Sequence, residues 1–205
     1  MSQRIQPASD KLDIGCGRNK RPGFIGLDAS AASDADVVAD IDEGLPFPDN
    51  SFREVWMSHV FEHVSDTVHL MEEIWRVCQD GARIEIRGPH FSRPDLVWGD
   101  PTHKRALSLG TFLYFTGEWY ITESRFRFEK CVLAKSNSTL EEVARKPWRW
   151  PLVPVNRAIS SIVNLSPRWI GRYERAASRF YGFDEIQVVL RADKSKDPAQ
   201  RGAQK

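Results

Sequence analysis

Only three cysteines stand in the 205 residues, at positions 16, 78 and 131. They are too few and too far apart for a disulfide framework or a zinc ribbon, and fit reduced thiols in a cytosolic protein. An excess of either charge is also lacking. Twenty-nine basic residues face 28 acidic ones, a net charge of +1. No global field therefore points to nucleic acid, and no nucleic-acid partner is expected. No run approaches the ~18 continuous apolar residues of a membrane span. The first ten residues, MSQRIQPASD, lack the apolar middle of a signal peptide, so a cytoplasmic location is expected. No internal repeat is visible. The length suits one domain around a single core.

What the chain does have is order. KLDIG (11–15), FIGLD (24–28), DVVA (36–39) and REVWMS (53–58) read as short strands. LPFPDNSF (45–52) is punctuated by proline and asparagine and reads as a loop. Over 66–79, Val68, Met71, Ile74, Trp75 and Cys78 recur at helical spacing, and Asp80-Gly81 supplies the stop. ARIEIR (82–87), RFRFEKCVLAKS (125–136) and FDEIQVVLRA (183–192) are three further strands. LSLGTFLYFTGEWY reads as a short aromatic helix, and TLEE (139–142) is a capping-box pattern. One or two helices are expected over 147–182, divided at Ser166-Pro167. Short strands alternating with a helix indicate an α/β sheet with parallel pairing. The expected layout is a core of about 10–89, 125–136 and 183–192. Cap insertions occupy about 90–120 and 137–182, and 193–205 form a disordered polar tail.

DIGCGRNKRPGFIGLD (13–28) begins like a dinucleotide turn and departs from it. The third glycine of Gly-x-Gly-x-x-Gly is Lys20, and the acid Asp28 comes only eleven residues after Gly17. RNKRPG (18–23) is too short, and too broken by Pro22, for a full helix. Without a helix N-terminus there is no ready pyrophosphate site, which argues against hydride transfer. S-adenosylmethionine carries no phosphate. Gly15 and Gly17 would let its amino-acid portion approach the backbone, because they lack Cβ. Asp28 is placed for its ribose hydroxyls, and Asp40 with Ile41 for its adenine. Ser58 and His59 end the fourth strand, where α/β sheets bind ligands.

The runs LDIGCG, GLD, ADI, LPFPDNSFREVWMSHVFEHVSD and LMEEIWRVCQDGARIEIRGP together resemble a class I S-adenosylmethionine-dependent methyltransferase of the type-eleven group, over about residues 11–89. That resemblance implies a Rossmann-like methyltransferase sheet, here with a shortened first helix. It also implies a cofactor border that takes in Asp13 and Cys16. The short first loop and DPTHKR (100–105) are similar to a subgroup of small sugar and polysaccharide O-methyltransferases. The implied acceptor is a hydroxyl of a sugar or oligosaccharide. Two alternatives stay open: an N- or C-methyltransferase of another small metabolite, and a non-catalytic module of the same fold.

An alcohol acceptor must lose its proton, and histidine is the side chain suited to remove it near neutral pH. His103, within DPTHKR, and His59 are the candidate bases. His63 reads as a structural histidine. His90, Asp100, His103 and Tyr114 are assigned to the acceptor side. Asp100, His103 and His90 match no zinc spacing, so no metal ligands are assigned. Magnesium on Asp100 and a substrate diol remains an alternative. Arg145, Lys146, Arg149, Arg157, Arg168, Arg172, Arg175 and Arg179 interleave with Trp148, Trp150, Trp169 and Tyr173. This segment, 147–179 at its centre, is read as a sugar-packing lid, a peripheral membrane contact or a homodimer face.

Overall fold

Leu12, Asp13 and Ile14 are all buried, as expected of a strand covered on both faces. They belong to β1 (Lys11–Ile14), at the centre of a computed structural model that describes residues 4–117, 125–135 and 152–195. β2 (Ile25–Asp28), β3 (Val37–Val38), β4 (Phe52–Ser58) and β5 (Cys78–Pro89) follow. β6 (Phe126–Ala134) and β7 (Glu185–Ala192) complete seven strands in the order β3-β2-β1-β4-β5-β7-β6. The first five are parallel, with Leu12 opposite both Ile25 and Val55, and Met57 opposite Ile86. β7 runs antiparallel between β5 and β6.

Residues 15–24 and 29–36 join β1 to β2 and β2 to β3 without a helix. Polar anchors replace the missing helix. Arg21 N–H donates to the Asp13 carboxylate (2.9 Å), while its guanidinium stacks 3.9 Å from the Trp56 ring. Asp36 accepts from Gly26 N–H and is held by both contacts of the Lys20 ammonium at 2.8 Å. Lys20, at the place of the absent glycine, therefore fastens this loop.

α1 (Thr67–Val77) starts at Asp66, whose side chain accepts from Val68 and His69 N–H. Its buried face is Thr67, Leu70, Met71, Ile74 and Val77. Val68, expected on the apolar stripe, is instead exposed. The helix also ends before Asp80-Gly81, because Cys78 has already turned to extended backbone and pairs with Phe52. Phe47 and Phe52 meet edge to face at 5.0 Å beneath it.

After β5 come the short α2 (Pro94–Val97) and α3 (Leu109–Leu113), with a single turn at Tyr114–Thr116. Ser108 and Thr111 form a capping box at α3. α4 (Leu152–Val163) and α5 (Pro167–Ala176) are separated at Ser166-Pro167 as expected, with Ser166 as N-cap. These two helices, expected in the cap, place Val163, Ile170 and Tyr173 in the main core. Asn164 exchanges two hydrogen bonds with the backbone of Leu133 on β6. TLEE, Trp119, Trp148 and Trp150 lie outside the described residues. The tail is not loose at its start. Asp193 and Lys194 are buried; Trp75 Nε1–H donates to Asp193 O (3.0 Å), and the Lys194 ammonium sits 3.7 Å from the Trp75 ring.

Candidate functional site

A cleft of about 250 Å³ opens beyond the carboxyl ends of β1, β2 and β4. Gly15, Asp28, Ala29, Ile41, His59, Val60 and His63 line it. Gly15 turns out of β1 with φ +67°, and a Cβ there would sit 2.1 Å from Val60 Cγ2. Glycine is thus required for packing against the loop after β4, rather than for ligand approach alone. Gly17, at φ +55°, has open space around it. Its N–H donates to Asp28 Oδ2 (2.9 Å), and Ser30 N–H donates to Oδ1 (2.8 Å). A carboxylate has about four acceptor sites. Two backbone donors fix Asp28 and leave capacity for a diol in the cleft.

Several expected cofactor residues have other occupations. Asp13 is buried, and burial raises its pKa above the usual carboxylate range despite the Arg21 N–H it accepts. It anchors the loop and does not line the cleft. The Cys16 thiol is packed under Gly26 and pushed up to about 11 by burial, so it too is structural. Asp40 caps the turn Ile41–Glu43 by accepting from Asp42 N–H (2.9 Å). It borders a separate groove with Arg4, Glu73 and Arg76, so of the pair only Ile41 reaches the cleft. Ser58 ends β4 opposite Arg87, one residue before the cleft wall. Of RNKR, Lys20 is committed to Asp36, while Arg18 and Asn19 are exposed.

The run HVFEHV supplies the far wall. His59 has φ +56°, an uncommon backbone for a non-glycine residue and a mark of local strain. Its Nε2 lies 3.2 Å from Glu185 and its Nδ1 3.5 Å from Glu62. Glu185 first, then Glu62, raise its pKa to about 9. A ring held protonated at neutral pH does not suit the base expected of His59. His63 was expected only as a structural group, yet it borders the cleft and its ring meets that of His103 edge to face at 4.6 Å.

DPTHKR folds over this wall. Thr102 donates to Asp100 Oδ1 from both N–H (2.8 Å) and hydroxyl (2.6 Å), which lowers the Asp100 pKa. With its proton so used, Thr102 Oγ1 accepts from His63 Nδ1–H at 2.9 Å. His103 Nδ1–H donates to Val97 O (2.6 Å), and its Nε2 lies 4.0 Å from Glu62 Oε1 and 3.9 Å from Asp100 Oδ2. Lys104 N–H donates to Glu62 O (2.8 Å), tying the two segments together. One ring nitrogen each of His63 and His103 and one oxygen of Glu62 lie within 4.8 Å of one another. The set Asp100, His103 and His90 weighed for a metal is not assembled: among the described residues, the group that could hold an ion is Glu62, His63 and His103.

His90 is fully buried, with Nε2 3.1 Å from Glu174 and Nδ1 2.7 Å from Ser92 Oγ. It fastens the end of β5 to α5 and is not open to an acceptor. Tyr114 stacks edge to face on Phe115 at 5.3 Å and is absent from the cleft lining. In the basic aromatic segment, Trp169 is exposed under the Arg172 guanidinium at 5.2 Å, whereas Tyr173 points inward. No helix among the described residues is long and apolar enough to cross a membrane.

Residues 19–86 match the family described as "Methyltransferase domain". No curated protein matches the chain. The fold resembles several solved structures. A SAM dependent methyltransferase from Archaeoglobus fulgidus is 22% identical, with TM-score 0.51 over 91% of this chain and 87% of that one. An S-adenosylmethionine dependent methyltransferase from Mesorhizobium loti is 16% identical, with TM-score 0.51 over 88% and 89%. Geranyl diphosphate C-methyltransferase from Streptomyces coelicolor A3(2), solved with Mg2+, geranyl diphosphate and S-adenosyl-L-homocysteine, is 17% identical, with TM-score 0.54 over 92% and 74%. Residues 19–86 thus match a methyltransferase-domain family, and the chain has the α/β fold of these S-adenosylmethionine-dependent methyltransferases.

Proposed function

We propose that the protein transfers a methyl group from S-adenosylmethionine to a hydroxyl of a sugar or oligosaccharide. The observation that carries the methyl-donor half is the cleft itself. It sits past the ends of β1, β2 and β4, with Gly15 on one side and a pre-fixed Asp28 on the other. When bound, the cofactor supplies a methyl carbon already activated on a sulfonium. The chain's own contribution is placement. Asp28 would hold the ribose hydroxyls with its remaining acceptor sites, and Ile41 would supply an apolar wall for the base. His59, positively charged between two carboxylates, would border the reacting end.

In the transfer the acceptor oxygen gains the methyl carbon, the carbon–sulfur bond breaks, and the hydroxyl proton must leave. His63, which borders the cleft with Glu62 and His103 close behind it, is the candidate proton acceptor. The acceptor class is supported by the likeness of DPTHKR to sugar methyltransferases, because that run packs against this cluster. The experiment is calorimetry with S-adenosylhomocysteine, followed by labelled-methyl transfer to sugars, glycans, phenols and amines. Saturable cofactor binding with methylation of a sugar hydroxyl is the expected result. Binding with transfer only to nitrogen or carbon would replace the acceptor class. Absence of binding would overturn the enzyme reading.

A further inference from the structure

Glu62 is fully buried, and neither of its carboxylate oxygens has a hydrogen-bond partner. A buried charge left so is costly unless something else satisfies it. His59 Nδ1 at 3.5 Å and His103 Nε2 at 4.0 Å offer charge or a lone pair, not an aligned donor. The carboxylate cannot easily swing away, since Oε2 is packed where a Cβ on Gly88 would lie 3.0 Å from it.

The two neighbouring imidazoles are prepared in the manner of metal ligands. Such histidines donate their second ring N–H to a carbonyl or carboxylate, which fixes the tautomer. His103 gives its Nδ1–H to Val97 O, and His63 gives its own to Thr102, which in turn is held by Asp100. In the neutral form each ring then offers one lone pair, on Nε2. Two imidazoles and one carboxylate form a donor set that binds zinc and other first-row divalent ions with positions left open. We propose that Glu62, His63 and His103 form a binding site for a divalent ion of the zinc class in the wall of the cofactor cleft.

The ion would draw the donors together, from within 4.8 Å of one another to about 3.3 Å, the spacing set by bonds near 2.1 Å. It would also give the buried carboxylate oxygens the direct partner they lack. Nitrogen donors disfavour magnesium, which prefers oxygen and water. Because His63 borders the cleft, an ion held by it would stand at the wall of the cofactor cleft. An acceptor oxygen bound to the ion would be more acidic and would give its proton to solvent, because the ion would take up the lone pairs of His63 and His103 that accept it in the metal-free site. That role rests on the methyl-transfer reading; the site itself does not.

The test uses the full chain freed of metal by a chelator. Titration with Zn²⁺ by calorimetry, and with Co²⁺ by visible absorption, should show one equivalent bound. Glu62→Gln, which keeps the volume, and His63→Ala should each weaken it at least about 100-fold. Thr102→Val should weaken it about 10-fold through the orienting bond alone. His69→Gln, on α1, should leave it unchanged, and millimolar Mg²⁺ should not compete. Circular dichroism and thermal melts check that each variant is folded. Absence of saturable binding by the wild type, or binding insensitive to both Glu62→Gln and His63→Ala, overturns the proposal. S-adenosylhomocysteine titrated into the same metal-free protein separates the two readings. Cofactor binding without metal sinks the site alone, and metal binding without cofactor sinks the methyltransferase reading alone.

Discussion

At Gly15 two constraints meet in one residue: a left-handed backbone and a neighbour, Val60 Cγ2, where a Cβ would go. Gly15→Ala must relieve both. A left-handed non-glycine residue and an overpacked methyl each cost about 1–3 kcal/mol. The variant should therefore lose about 2–6 kcal/mol in denaturant unfolding. A loss under 1 kcal/mol would mean the turn and Val60 move apart freely. Asp28 tests binding instead of packing. Asp28→Ala removes charge-assisted hydrogen bonds worth about 1.5–3 kcal/mol, so S-adenosylhomocysteine should bind about 10–100-fold more weakly. Unchanged affinity in calorimetry would remove Asp28 from the ribose site. Asp28 was legible in the sequence because its role follows from strand order and a fixed offset from the glycines. His63 was not. Its significance comes from Thr102 and His103, about 40 residues further along the chain, and no local period records that contact.

Among the elements, α1 is held to the loop before β4 by one arginine. Arg76 donates to Glu73 through Nε (2.7 Å) and Nη2 (2.8 Å), to Asp49 through Nη1 (2.7 Å), and to the carbonyls of Phe47 and Leu45 (2.8 Å each). Glu73 also accepts from Leu45 N–H at 2.9 Å. Arg76 lowers the Glu73 pKa below its ordinary 4.5, and that of Asp49 below 3.8. For a carboxylate lowered by folding, the unfolded chain binds protons first as pH falls. The stabilisation is whole above about pH 5 and drains away below it, through the folded pKa. Glu73→Gln should cost about 1–3 kcal/mol near neutral pH and flatten the acid side of a plot of stability against pH. A variant with the same acid-side slope as the wild type would show that this clamp does not govern it. The helix was legible from its period, but the buried face was displaced. Val68 fits the spacing, yet in that turn it is Thr67 and Leu70 that are buried.

Across the whole molecule, the strands were legible from their order between turn residues, although several, such as β4 and β6, are only half apolar. The place of 152–176 was not. Its arginines and Trp169 read as a surface, while the residues that decide its position are few: Val163, Ile170 and Tyr173. Tyr173 stacks edge to face on Phe183 at 5.0 Å, and Glu174 accepts from Leu109 N–H at 2.8 Å while holding His90. α5 therefore joins β5, β7 and α3 through one apolar and one polar contact set. A lid that opens independently would keep its unfolding separate from that of the sheet. A helix built into the core would not. Ile170, fully buried, should cost about 2–5 kcal/mol when cut to alanine, with a single cooperative transition retained. Amides of α5 in the wild type should exchange with the same free energy as those of β5. Exchange from α5 at much lower free energy, together with an Ile170→Ala melt equal to wild type, would return these helices to the movable cap. The same result would confine the fixed wall of the cleft to the sheet and the HVFEHV turn.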